Sequence, residues 1–174
     1  MKKKSTKKKI IILLIGLLLL IIDQIAKFML INQNIILVPD VLEFSYSENS
    51  GVVLGLFEVD MMIIMIVSIV ILGILARLMK KYFDKERLAY ATALVLVFAG
   101  GLSNSIDRIL RGFVVDYLQI KLFSFPIFNL ADLLIMIGII LLFVLIIIDL
   151  VVPEKKRKEK EEIKKEKKQE KIDK

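Results

Sequence analysis

Apolar residues fall into four long runs, at 10–31, 61–78, 88–106 and 128–152. Each approaches the roughly 20 residues needed to cross about 30 Å of hydrocarbon. The pattern predicts four membrane-spanning helices in one integral membrane domain. Two kinds of polar segment separate them. Residues 32–60 contain Pro39, the alternating stretch Val41-Leu42-Glu43-Phe44-Ser45-Tyr46 and the turn-like Asn49-Ser50-Gly51, with no Lys or Arg. Alternation of that kind predicts short strands. Residues 77–87 form a short charged loop, and 107–126 a second long loop. Pro126 precedes the fourth run, where a helix start tolerates proline. The fold expected is all-α, four spans with a small β-rich loop outside the membrane.

Charge sharpens this picture. Residues 1–9 hold six lysines and no acid, and residues 153–174 hold eleven Lys/Arg against seven Asp/Glu. Of the net +7, the two tails carry +10 and the body −3. Three parts follow: a basic tail 1–9, a membrane domain 10–152 and a charged tail 153–174. Lys/Arg-rich segments stay on the cytoplasmic side, so both termini and 77–87 are expected inside, and 32–60 and 107–126 outside. Basic tails beside apolar spans suit anionic lipid. They lack the aromatic interleaving of a single-strand nucleic-acid binder, so nucleic acid is not expected. A basic n-region before an apolar run also fits a secretory signal peptide. No A-x-A pattern follows and the apolar character continues past Asp23, which favours an uncleaved first helix.

The chain has neither His nor Cys. A Ser-His-Asp triad, an HExxH zinc site and thiol chemistry are therefore excluded. Ionisable groups inside a span cost about 2.5–3.5 kcal/mol each on insertion scales, so their presence points to use. Asp23, Lys27 and Asp132 are such groups, and Asp107, Arg108 and Asp116 stand at span ends. All are expected at one depth, toward the outer leaflet. Asp23 and Lys27 are four apart and can face each other, as a self-neutralising pair or as a binding and orienting one. Asp116 lies among Phe113-Val114-Val115 and Tyr117-Leu118, an extended apolar setting. Asp132 lies on the first turns of the fourth span. Two adjacent carboxylates share a proton, so the charged one can activate water while the protonated one polarises a carbonyl. The plainer reading makes Asp116 a loop carboxylate and Asp132 a charge favoured by the helix dipole. Asn104, Asp107 and Arg108 could hold the carboxylates and substrate backbone, or simply cap a helix end. Gly100-Gly101 permits close helix approach.

Five blocks then stand in order along the spans: Asp23-Gln24-Ile25-Ala26-Lys27, Asn49-Ser50-Gly51, Gly100-Gly101-Leu102-Ser103-Asn104-Ser105-Ile106-Asp107-Arg108, Val114-Val115-Asp116-Tyr117 and Phe128-Asn129-Leu130-Ala131-Asp132. Each is weak alone. Together with the four-span plan they resemble the lipoprotein signal peptidase (signal peptidase II) family. The resemblance implies an aspartyl endopeptidase of the bacterial cell membrane. It would cut diacylglyceryl-modified prolipoproteins before the lipidated cysteine, as a monomer without cofactor or metal. Its catalytic pair maps onto Asp116 and Asp132. Its supporting residues map onto Asp23, Lys27, Asn49, Gly51, Asn104, Asp107, Arg108, Asn129 and Ala131, and its outer β-cradle onto 32–60. Ser103 stands where the family usually has Gly, and Val52-Val53-Leu54 where it has small residues and an aromatic. Two other readings stay open: a Ser-Lys hydrolase using Lys27 or Lys121 with Ser50 or Ser103, and a membrane scaffold or transporter subunit without chemistry.

Overall fold

The structure is a computed structural model that describes residues 2–51, 60–122, 125–152 and 163. The tail 153–174, apart from 163, and Val52-Val53-Leu54 lie outside the described residues. Helix α1 spans Lys2–Leu30, α2 Met61–Asp84, α3 Leu88–Arg111 and α4 Leu130–Val151. Among the described residues, these four are long and apolar enough to cross a membrane. Strands β1 (Asn34–Val38), β2 (Leu42–Asn49) and β3 (Val114–Ile120) form one antiparallel sheet in that order. The expected architecture of four spans with a small β-rich part holds.

The helices outrun the hydrophobic runs. α1 begins at Lys2 instead of residue 10, because lysine is a good helix former and no breaker intervenes. α2 continues through the charged stretch to Asp84, leaving only 85–87 as the turn expected over 77–87. α3 reaches Arg111, so Asp107 and Arg108 are helical residues and not loop residues. It stops at Gly112, whose φ of 81° is the left-handed cap that glycine takes without strain. At the fourth run, Phe128 and Asn129 precede the helix instead of opening it: Phe128 bridges to Leu118, and Asn129 is the N-cap. Pro126 therefore lies outside the first turn of α4.

The sheet also differs from expectation. It is built from both loops, since β3 of the second loop pairs with β2 of the first. Ser47 stands opposite Asp116 in that register. This pairing makes the extended apolar segment expected around Asp116 a strand whose first four residues are buried.

α3 is the hub. More than half of its apolar window is buried, whereas the other three helices bury about a tenth of theirs. Gly100 allows a close approach to α4: a Cβ there would stand 2.3 Å from the Ala131 carbonyl oxygen. Any side chain at this point would push the first turn of α4 away. Most aliphatic side chains on the outer faces of α1, α2 and α4 are exposed, as a lipid-facing surface requires.

Candidate active site

The polar residues of the five blocks converge at the sheet-bearing end of the bundle. Asp116 leaves β3 and Asp132 the first turn of α4. Asn129 joins them. Its Nδ2 donates to Asp116 Oδ1 at 2.6 Å, and its backbone N–H donates to Asp132 Oδ2 at 3.1 Å. Its own Oδ1 accepts from the Asp132 amide at 2.9 Å, completing a capping box. Each remaining carboxylate oxygen receives one more amide: Asn49 Nδ2 to Asp116 Oδ2 at 2.8 Å, and Asn104 Nδ2 to Asp132 Oδ1 at 2.8 Å. Three asparagines thus hold two carboxylates with neutral donors, and among the described residues no cation is bonded directly to either.

That choice of partners has an electrostatic result. Burial pushes the Asp116 carboxyl up to about 7 from an ordinary 3.8. The asparagine bonds oppose the rise, and the nearby Asp132 charge adds to it. A proton stays on the pair near neutral pH, and its titration belongs to both groups.

Beneath the pair lies a buried ionic cluster. Lys27 and Asp23 form the pair expected from their spacing, at 3.0 Å, but Lys27 also meets Asp107 at 3.0 Å and donates to Asn104 Oδ1 at 2.8 Å. All of Asp23, Lys27 and Asp107 are fully buried. Lys27 decides which way Asn104 faces: with its oxygen held by Lys27, its NH2 must point to Asp132. Asp23 Oδ1 accepts from the Ala131 amide at 3.1 Å, and Asp107 Oδ2 from the Val115 amide at 3.1 Å. One carboxylate of the cluster therefore grips the segment next to each of the paired aspartates. Arg111 neutralises the other oxygen of Asp107.

Arg108 stands beside the pair. Its Nη2 donates to the Gly51 carbonyl at 3.0 Å, and Gly51 is turned inward by its own N–H to Asn49 Oδ1 at 3.1 Å. Its Nε is buried without a partner among the described residues. Arg108 lines a groove of about 1010 Å³ between α2, α3 and α4, whose walls are mostly aliphatic and which Asn49, Asn104 and Asp132 also line. An amphiphile with an apolar chain and a polar head matches that division.

Every residue that the resemblance mapped as catalytic or supporting is thus in the cluster or bonded to it. Three further residues take part: Ser103, noted from the sequence only as a departure and as an alternative nucleophile, and Gln24 and Tyr117, which were given no role there. Ser103 donates to Asp23 Oδ2 at 2.6 Å, Gln24 donates to Ser103 Oγ at 2.8 Å, and the Tyr117 hydroxyl donates to Asp23 at 3.3 Å. A polar side chain within an otherwise apolar run was the available signal for each.

The profile of the family described as signal peptidase (SPase) II matches residues 15–148. The chain belongs to the signal peptidase II family. It is 40% identical over 122 residues to the lipoprotein signal peptidase of Staphylococcus carnosus, covering 69% of this chain and 76% of that one. It is 37% identical over 123 residues to that of Halalkalibacterium halodurans, covering 69% and 78%. A bacterial membrane enzyme solved at 2.3 Å by the in meso method superposes with a TM-score of 0.72 and 32% identity, over 79% of this chain and 88% of the other. Membership makes the chain a membrane-embedded peptidase.

Proposed function

We propose that the protein is an aspartyl endopeptidase that removes the signal peptide from diacylglyceryl-modified bacterial prolipoproteins, cutting before the lipidated cysteine. The observation that carries this reading is the joining of Asp116 and Asp132 through one asparagine, with Asp132 lining an apolar groove. The relatives' name, lipoprotein signal peptidase, supplies the substrate class.

The charged carboxylate takes a proton from water as that water attacks the scissile carbonyl. The protonated carboxylate donates to the carbonyl oxygen, so charge does not build up in a dry site. As the C–N bond breaks, the proton taken from water goes to the leaving amine, and a hydroxyl of the collapsing gem-diol returns a proton to the second carboxylate. Asn49, Asn104 and Asn129 hold both carboxyls in place through this exchange, and the free Arg108 Nε–H serves a substrate carbonyl. The diacylglyceryl chains lie along the aliphatic groove, which places the lipidated cysteine near its polar lining residues.

The same geometry disfavours a Ser-Lys hydrolase. Lys27 Nζ is engaged by Asp23 and Asp107 and donates to Asn104 Oδ1, so it is bonded to carboxyl and amide oxygens instead of a serine hydroxyl. Ser103 donates to Asp23, and Lys121 pairs with Glu43 out on the sheet.

The protein acts in the bacterial cytoplasmic membrane as a monomer, with both tails inside against anionic lipid. A Lys9–Glu86 pair at 2.7 Å puts the start of α1 beside the α2–α3 turn, which agrees with the charge pattern. The test is a gel assay of lipidated precursor cleavage by Asp116→Asn and Asp132→Asn enzymes that insert normally. Normal processing by both would sink the dyad. Equal cleavage of unlipidated precursor would argue against lipid-dependent specificity.

A further inference from the structure

The start of α4 is held in an unusual way. The first amides of a helix have no partner within it. Here three successive ones are taken up by three separate parts of the chain. Leu130 N–H donates to the Tyr117 hydroxyl on β3 at 3.2 Å, Ala131 N–H to Asp23 on α1 at 3.1 Å, and Asp132 N–H to the Asn129 cap at 2.9 Å. Asp23 belongs to the ionic cluster and Asn129 to the carboxylate pair. The tyrosine has no such place in the proposed chemistry.

Tyr117 follows Asp116 directly, and Leu130 precedes Asp132 by two residues. The Tyr117 side chain is buried and its ring meets Phe44 edge-on at 6.0 Å. The hydroxyl donates to Asp23 Oδ1 while accepting from Leu130. Backbone bonds already tie β3 to the chain as far as Phe128, where Tyr117 N–H and Leu118 N–H both reach the Phe128 carbonyl. Beyond Phe128 the backbone leaves the strand, and the hydroxyl continues the connection into the helix. Burial, followed by the Asp23 charge, pushes the Tyr117 pKa up, so the group remains a hydroxyl and the bond persists over the working pH range.

We propose that the Tyr117 hydroxyl is a positioning group that sets the spacing of Asp116 and Asp132 by holding the strand that carries one to the helix end that carries the other. It touches neither carboxylate. The inference rests on the aspartyl reading.

Tyr117→Phe removes the hydroxyl and keeps the ring. With full-length enzyme in lipid and a lipidated precursor, kcat per folded enzyme should fall about ten- to a hundredfold, since small misplacements of reacting groups cost that much. KM should stay within about twofold, and the pH profile should move by about half a unit or more as the carboxylates change separation. A purely structural role would lower the melting temperature and yield but leave kcat per folded enzyme and the pH profile alone. Leu130→Pro removes the same bond from the amide side, at a first helical position that proline fits, with Leu130→Ala controlling for the lost side chain. The proline variant should lose kcat relative to the alanine one, and Y117F/L130P should lose no more than the larger single effect. This arm also decides the matter if Tyr117→Phe fails to fold. Wild-type kcat and pH profile in Y117F, or equal kcat in L130P and L130A, overturns the inference while inactive D116N and D132N leave the aspartyl reading standing. Activity in either Asn variant overturns the reading, and the inference with it.

Discussion

Charged clusters tie both ends of the bundle, with different consequences. At the sheet-bearing end, Lys27 has two carboxylates at 3.0 Å and an amide oxygen at 2.8 Å, and no side chain of its ion pairs is exposed. At the other end, Arg87 pairs with Asp149 while lying over the Tyr90 ring at 4.2 Å, and the two charged side chains are 36% and 23% exposed. Lys9–Glu86 nearby is more open still on its acidic side. Water screens the second set and can replace a lost partner. The first set has no such reserve, so each group there is fixed by its neighbours. The same residue types thus make a rigid frame at one end and an adjustable clasp at the other.

The sharpest way to break this contrast is at the pair itself. Asp116→Asn or Asp132→Asn should lower turnover of lipidated precursor by at least about 10³-fold, the scale of losing a member of a catalytic unit, with the protein still inserted. Retained activity in either would reduce the carboxylate pair to a structural frame.

Next in size is Lys27→Met. It leaves Asp23 and Asp107 buried without their shared cation, a loss of about 3–5 kcal/mol. Thermal unfolding in lipid should show it. Adding Asp23→Asn should recover part of the loss, because it removes one of the stranded charges. A variant with unchanged melting temperature would mean that water enters the cluster.

The pH dependence gives a third test. The Asp116 carboxyl is raised to about 7, while in the unfolded chain it titrates near 3.8. The folded state therefore holds a proton that the unfolded state has lost between those values. Its contribution to stability is complete below about 3.8 and is lost as pH rises toward 7. Asp116→Asn should flatten that part of a melting-temperature curve. Wild-type cleavage should decline above about pH 7, as the pair loses its shared proton. A rate that rises steadily through pH 8 would contradict this.

The smallest effect belongs to the far end. Arg87→Ala should cost about 1 kcal/mol or less, as partly exposed pairs do, and leave kcat unchanged. A large loss there would erase the difference between the two ends.

Much of this was legible in the sequence. Span number follows from the apolar runs, because helix length and bilayer thickness are fixed quantities. The Asp23–Lys27 pair follows from helical spacing, because covalent geometry puts residues four apart on one face. The absence of His and Cys narrowed the chemistry before any fold was known. Five short blocks in order identified the family, which matching over residues 15–148 bears out.

Tertiary structure decided what joins these parts. No spacing rule brings β3 to β2 across the intervening α2 and α3, yet that pairing is what makes the extended segment of Asp116 a buried strand. Nor does sequence order show that Ser103, standing where the family usually has glycine, adds a hydroxyl to Asp23, or that Tyr117 reaches the first amide of α4. Such contacts depend on how closely α3 and α4 approach at Gly100 and on which buried donors lack water. Chain geometry sets the local elements. The need to satisfy every buried polar group, met only when all elements are packed together, sets the site.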